Sequence, residues 1–289
     1  MLQEDDAPAL VPAKDKEKAM VRFAVMTFMY AGWAQGDNGS HEELIEILRM
    51  AGADGIEAFA NDFFGNNALL ELYRKEMAAH HLAMPVMDVI ADLAVPDGEQ
   101  RKAAYQNMEM GIDMCDALGS EIVHVAGCRQ VQGQTPADGR KRIVEGLMDF
   151  VDDVEERGMI LAFENFDPSP MLICSAADCL EILDQTGGRV KFVFDTGNFE
   201  AVSEHAEDNL ESFFDRTRHF HFKDFAVSGD PPVRRGTHFG RGSVKNADIA
   251  RALKERDYDG WVALESYPQG SNGPRETVDV ELATLKNLF

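Results

Sequence analysis

Met159-Ile-Leu-Ala-Phe-Glu164 and Val190-Lys-Phe-Val-Phe-Asp195 are two short runs rich in β-formers. They flank a stretch that opens Ser175-Ala176-Ala177-Asp178 and continues through Leu180, Ile182 and Leu183 to Gly187-Gly188. A serine with an acid three residues on is an N-terminal helix signal, and a glycine pair after the last apolar position is a stop. The segment therefore reads strand, helix, strand, and each strand run ends in a carboxylate. Working outward, the same kind of run recurs before it at 21–28, 55–60, 85–90 and 121–126, and after it at 218–222 and 261–265. Ser40-His41-Glu42-Glu43 starts a further helix with apolar Leu44, Ile45, Ile47 and Leu48. Asn246-Ala247-Asp248 starts another, which ends before Asp259-Gly260. Eight strand runs, each followed by enough chain for a crossover helix, predict an α/β fold, a single-domain (β/α)8 TIM barrel over 21–289. A doubly wound open sheet is the rival, but the Gly-rich phosphate turn usual after its first strand is missing.

Residues 1–20 mix Glu, Asp, Lys and Pro without an apolar core, and read as a mobile N-terminal tail rather than a signal peptide. From about Ala226 to Lys245 the chain shows no convincing helix or strand. It carries Gly229, Pro231, Pro232, Gly236, Gly240 and Gly242 together with Arg234, Arg235, His238 and Arg241. A long irregular loop inside a compact domain is commonly functional or disordered, and this one follows the seventh strand, at the barrel end where active sites sit.

The whole chain has 289 residues with 28 Lys+Arg against 51 Asp+Glu, a formal charge of −23. That balance works against nucleic acid as a partner, because a polyanion binder needs cations to replace phosphate counterions. No apolar run approaches the roughly 18 residues of a membrane span, so no membrane partner is expected. The four cysteines, Cys115, Cys128, Cys174 and Cys179, have no Cys-x-x-Cys spacing. Reduced thiols in a soluble, cytoplasmic protein are the expectation.

Four successive strands carry a potential metal ligand at or near their ends: Glu164, Asp195, His221 and Glu265. Barrel closure brings the C-terminal ends of neighbouring strands to one rim, where these side chains can converge. A carboxylate after an apolar run is costly without positive charge beside it, and a divalent cation is the simplest compensation. Three carboxylates and one imidazole suit Mn2+, Mg2+ or Co2+, one ion per chain. Glu57 and Asp88 lie near the ends of strands two and three. His124 lies within strand four between Val123 and Val125, and Met26, Phe28, Met29, Tyr30 and Trp33 stand near strand one as an apolar wall for a pocket. Arg235, Arg241 and His238 give the long loop groups that grip a hydroxyl-rich or anionic ligand. Lys223 and Asp224, next to His221, are placed to orient it.

The motifs Glu164-Asn165, Asp195-Thr-Gly-Asn198, His221-Phe-Lys-Asp224, Gly240-Arg-Gly242 and Trp261-Val-Ala-Leu-Glu265 resemble those of the xylose-isomerase-like barrel superfamily of sugar isomerases and epimerases. The similarity covers nearly everything after the tail. The resemblance to its ketose 3-epimerase branch implies that Glu164, Asp195, His221 and Glu265 hold one Mn2+ or similar ion. It also implies that the two glutamates form the acid/base pair on opposite faces of the substrate. Among substrate-binding positions it directs attention to Asn198 and to Glu57, for which a structural salt bridge is the other reading; His124, on a strand with one face into the barrel, lines the pocket or is a satisfied core histidine. In the epimerase pattern a histidine stands where this chain has Asn198, and asparagine cannot shuttle a proton. A metal-dependent 3-keto-glycoside lyase is therefore kept as the alternative to a metal-dependent sugar isomerase or epimerase. A DNA-repair endonuclease-type relative is disfavoured by the charge and by that missing histidine, and a non-catalytic barrel subunit by the intact Glu164 and Glu265. The expected partners are a small-molecule sugar or keto-sugar substrate and, for the chain itself, a homo-oligomer.

Overall fold

The structure, a computed structural model, describes residues 20–37, 39–166, 172–229, 233–267 and 273–289. The expected tail lies outside the described residues except for Met20. Eight parallel strands close into a barrel: β1 (Arg22–Met26), β2 (Gly55–Phe59), β3 (Val86–Ile90), β4 (Ile122–Ala126), β5 (Ile160–Glu164), β6 (Lys191–Asp195), β7 (Thr217–Phe222) and β10 (Trp261–Leu264), with β10 pairing back onto β1. All eight fall on the runs read from the sequence.

Each strand is followed by a helix packed outside. A short turn, α1 (Ala31–Ala34), precedes α2 (His41–Met50). Around the barrel follow α3 (Asn67–His80), α4 (Glu99–Leu118), α5 (Pro136–Glu156), α6 (Ala176–Gln185), α7 (Ala206–Phe213), α8 (Asn246–Glu255) and α9 (Pro274–Lys286). The start signals act as expected. The Ser40 hydroxyl accepts the Glu43 amide at 3.1 Å, and the Ser175 hydroxyl accepts the Asp178 amide at 3.2 Å. None of these helices is long and apolar enough to cross a membrane.

One expectation is corrected. The stretch 226–245 is not free of regular structure, because β8 (Phe225–Ser228) and β9 (Val233–Gly236) pair as an antiparallel hairpin. Its residues are mostly exposed or half-buried, so no apolar alternation marks it, and Gly229 with Pro231-Pro232 reads as plain loop.

Strand side chains alternate between two environments. Outward positions join the large apolar core between sheet and helices. Inward positions fill the barrel with a small apolar base that includes Val86, Ile122, Ala162 and Val193, beneath a polar layer. The outer core is closely packed where α4 meets β3. A Cβ on Gly111 would stand 2.4 and 2.7 Å from the two methyls of Val89. Gly111→Ala gains about 1 kcal/mol of helix propensity but forces a β-branched side chain fixed on the sheet to move, an overpacking cost of about 1–3 kcal/mol. The expected outcome is a net loss of stability of up to about 2 kcal/mol, read from urea unfolding. A raised midpoint would contradict the tight crossing.

Candidate active site

Four strand ends meet at the barrel rim. Asp195 of β6 and Ala263 of β10 both register against His221 of β7, and Glu265 follows β10, with its amide donating to the Phe222 carbonyl at 3.0 Å. Glu164, at the end of β5, registers against Val193 of β6. His221 Nδ1 consequently lies 3.3 Å from Glu164 Oε2, 3.8 Å from Asp195 Oδ2 and 4.0 Å from Glu265 Oε2. All four side chains are buried.

Local chemistry fixes Asp195. Its Oδ1 accepts the amides of Gly197 and Asn198, both at 2.8 Å, so the Thr-Gly-Asn turn turns Oδ2 toward His221. Asn165 ties β5 to β6 by donating to the Asp195 carbonyl and accepting the Asp195 amide, each at 3.0 Å. Lys223, two residues beyond His221, passes its stem over Gly197, where a Cβ would sit 2.7 Å from Lys223 Cγ. Its ammonium lies 2.9 Å from Asp195 Oδ2 and 2.8 Å from Glu265 Oε2. Burial opposes charge on Lys223, but Asp195 and Glu265 outweigh it and hold its pKa well above the usual lysine value.

Below the rim is a layer of alternating imidazoles and carboxylates. Glu57 of β2 reaches across the barrel and takes His219 Nε2 at 3.0 Å and His221 Nε2 at 2.9 Å. Asp88 of β3 is tightly bonded to His124 Nδ1, and His124 Nε2 lies 3.8 Å from Glu164 Oε1. Burial opposes charge on His221, yet Glu57 and Glu164 raise its pKa well above the ordinary value. Asp195 is pushed up to about 7 by burial, with Glu265 and Glu164 adding to the rise against the pull of Lys223. The carboxylates outnumber the cations available to balance them.

This donor set fits a divalent ion. Glu164, Asp195 and His221 offer ligand atoms that lie within 4.8 Å of one another, and Glu265 is adjacent. Ligand atoms held ~2.1 Å from an ion stand roughly 3–3.5 Å apart, so a modest contraction of these separations suffices. Asp195 Oδ2 is buried and makes no well-aligned hydrogen bond, and the Lys223 ammonium 2.9 Å away is the cation that balances it, so an ion bound here would share that oxygen with the lysine.

The rim opens into a cavity of about 580 Å³. Glu164, Glu265, Lys223, His124 and Asp88 give it a polar side. Met26, Phe28, Met29, Phe59 and Phe166 give it an apolar one. Several positions anticipated from the sequence lie elsewhere. Glu57 is off the cavity wall, bonded to the two histidines. Asn198 is off it as well, its amide donating to the Asn165 carbonyl at 2.8 Å. Arg235 and Arg241 are exposed, and His238 binds Glu281 Oε1 at 2.5 Å; His238 and Arg241 line a separate surface cavity with α9. Tyr30 is buried behind the wall, and Trp33 lines an outer surface groove.

Neither Lys223 nor Asp224 touches His221 in the expected way. Lys223 pairs with the acids, while the Asp224 carboxylate collects the loop amides of Gly240, Gly242 and Val244. Among the cavity residues the sequence reading missed, five with functional side chains or large rings are Phe59, Asp92, Arg129, Phe166 and Tyr267. All five lie at or beyond strand ends, where position, rather than residue type, is the signal.

A closed barrel with buried histidine and carboxylate groups at its C-terminal rim defines a class of metal-compatible (β/α)8 proteins. Residues 45–288 match the Xylose isomerase-like TIM barrel family, and the chain belongs to it. Relatives are enzymes or carry enzyme names. A putative hydroxypyruvate isomerase of Streptomyces coelicolor is 26% identical over 184 residues, covering 61% of this chain and 63% of that protein. The chain thus spans less than two thirds of this relative. An inosose dehydratase of Lacticaseibacillus casei is 24% identical over 266 residues, covering 81% of this chain and 87% of that protein. Among solved structures, a 3-keto-D-glucoside 4-epimerase from E. coli superposes with a TM-score of 0.73 at 14% identity, covering 93% of this chain and 100% of that one. The IOLI protein, solved with a bound zinc atom, gives a TM-score of 0.73 at 17% identity, covering 93% of this chain and 96% of the other.

Proposed function

We propose that this protein is a divalent-metal-dependent sugar isomerase or epimerase that removes a proton from a carbon next to a carbonyl. The observation that carries the reading is the placing of two glutamates, Glu164 and Glu265, on the wall of one cavity, on either side of His221 and Asp195. Glu164, Asp195, His221 and Glu265 would hold one ion per chain, Mn2+ before Mg2+ or Co2+ on the balance of oxygen and nitrogen donors. Such an ion supplies Lewis-acid polarisation of the substrate carbonyl.

The chain's own groups move the proton. One glutamate takes the carbon-bound proton, and the other returns a proton to the opposite face or to the neighbouring atom. Lys223, with its ammonium at the cavity wall, adds fixed positive charge beside the oxygens on which negative charge develops. The apolar wall of Met26, Phe28, Met29, Phe59 and Phe166 excludes water from the face opposite these groups.

A second reading, elimination from a keto-sugar, draws on Asn198. That residue is occupied by Asn165 and is off the cavity wall, so the contact expected from the epimerase pattern is missing. An inosose dehydratase among the relatives fits the same alternative. The substrate expected in either case is a small keto-sugar or keto-cyclitol.

The test is incubation of chelator-treated protein, with Mn2+, Co2+ or Mg2+ restored, on a panel of free ketoses, inososes and 3-keto-glucosides. Isomer formation, water loss and aglycone release are scored separately. Metal-restored isomer formation supports the first reading, and elimination without isomer formation supports the second. Turnover of any panel member that survives thorough metal removal would overturn the metal-dependent mechanism.

A further inference from the structure

Glu57 is fully buried, and its two carboxylate oxygens are divided between two imidazoles: Oε2 serves His219 Nε2 at 3.0 Å, and Oε1 serves His221 Nε2 at 2.9 Å. The contact is made across the barrel. β2 and β7 are not sheet neighbours, because β1 and β10 stand between them. His219 and His221, two residues apart on one strand, share an inward face. The opposite edge of the His221 ring, at Nδ1, faces Glu164, Asp195 and Glu265.

A histidine offers a lone pair to a cation through one ring nitrogen when the other carries a hydrogen and is held by an acceptor. That acceptor fixes both the tautomer and the ring rotation. We propose that Glu57 is a positioning residue for the metal-binding edge of His221, and that His219 is a brace that fixes Glu57 in turn; this rests on the reading of Glu164, Asp195 and His221 as metal donors. Two observations favour positioning over other roles. Both Glu57 carboxylate oxygens are taken up by imidazoles, and the residue is not on the cavity wall. His219 is completely buried, yet its Nδ1 has no partner among the described residues. A buried imidazole with one unsatisfied edge is costly, and the one side-chain bond His219 makes is to the oxygen that sets the angle of Glu57. The bond from Glu57 to His221 is thus held at both ends.

The test compares wild type, Glu57→Gln and His219→Asn. Free Mn2+ is counted by electron paramagnetic resonance, and imidazole N–H protons are followed by NMR of histidine-labelled, metal-free protein. Glutamine keeps the shape of Glu57 but offers one acceptor and one donor group, so it cannot accept from both rings. The expected result for Glu57→Gln is a 10–100-fold loss of Mn2+ affinity, with loss or displacement of the downfield His221 Nε2–H resonance. KM for a substrate of the metal-loaded enzyme should change less than kcat. His219→Asn leaves Glu57 and His221 in place and should weaken Mn2+ binding by a smaller factor. It keeps the question answerable if Glu57→Gln does not fold. Wild-type affinity in both variants, with the His221 resonance unmoved, would overturn the proposal. Two ions bound by wild type and one by Glu57→Gln would also overturn it, since Glu57 would then be a ligand itself. If wild type binds no divalent ion, the metal reading fails while the resonances still decide whether Glu57 holds His221.

Discussion

Glu164→Gln and Glu265→Gln are each expected to lower turnover by about 10²–10⁴-fold, the range that loss of a positioned acid or base brings. Glutamine keeps the volume and one oxygen for a cation, so folding and weakened metal binding survive while the proton-transfer group is gone. The two substitutions differ in their side effects. Glu265 is one of two acids holding the buried ammonium of Lys223, so Glu265→Gln throws that ammonium onto Asp195 alone. Glu164 is bonded to His221 and stands near His124, so Glu164→Gln loosens the imidazole side instead. Solvent deuterium should enter the substrate carbon beside the carbonyl with wild type and fail to do so in whichever variant has lost the abstracting base. Steady-state rates on the substrate found in the panel, with bound metal measured in parallel, check this. Full turnover by either variant with metal bound would sink a mechanism that needs both glutamates.

The frame of this site was legible because barrel strands announce themselves twice. Each is a short β-rich run, and at β5 and β6 the run stops on a carboxylate that an apolar strand would not otherwise tolerate. Parallel closure then dictates that Glu164, Asp195, His221 and Glu265 meet, and the structure brings them around His221 Nδ1 within 4.0 Å. What stayed hidden depends on reach across the barrel and on side-chain competition, neither of which has a sequence period. Glu57 reads from the sequence as a substrate contact or a structural salt bridge; the structure shows it paired, and the partners that the sequence does not reveal are His219 and His221, on a strand that is distant in the sheet order. Asn198 is withdrawn by the Asn165 carbonyl, itself a consequence of how Asn165 bridges two strands. Lys223 had one legible clue. It follows His221 at strand spacing and so continues the same inward face, although its partners are the acids and not the histidine. Arg235, Arg241 and His238 were drawn to the site by their charge and by the loop's place in the topology. The hairpin and α9 instead give His238 a buried acid partner away from the cavity and leave both arginines in solvent.

Asp224→Ala is expected to destabilise the protein by about 3–5 kcal/mol, because it removes one carboxylate that serves four backbone amides at once. Oδ1 accepts from Phe225 N at 2.9 Å and Val244 N at 3.2 Å, while Oδ2 accepts from Gly240 N at 3.1 Å and Gly242 N at 2.8 Å. The loop wraps so closely that a Cβ on Gly242 would stand 2.1 Å from Asp224 Oδ1. The bond from Phe225 is buried and the three from the loop are part-buried, so each orphaned amide costs toward the lower end of about 1–3 kcal/mol. Asp224→Asn separates this account from a simple loss of volume. It is nearly isosteric, but one of its two acceptors becomes a donor that faces amide N–H groups, so most of the loss should persist. The consequence reaches the cavity, since Lys223, the adjacent residue, has its carbonyl held by Asn246 Nδ2 at 2.9 Å at the start of α8. Freed loop ends would let that anchor drift and with it the ammonium between Asp195 and Glu265. Urea unfolding gives the stability change, and limited proteolysis should show new cleavage between Thr237 and Val244 in both variants before global unfolding. An Asp224→Asn protein with wild-type stability and an uncleaved loop would mean that the four amides find other acceptors, and that the carboxylate is not what closes this end of the barrel.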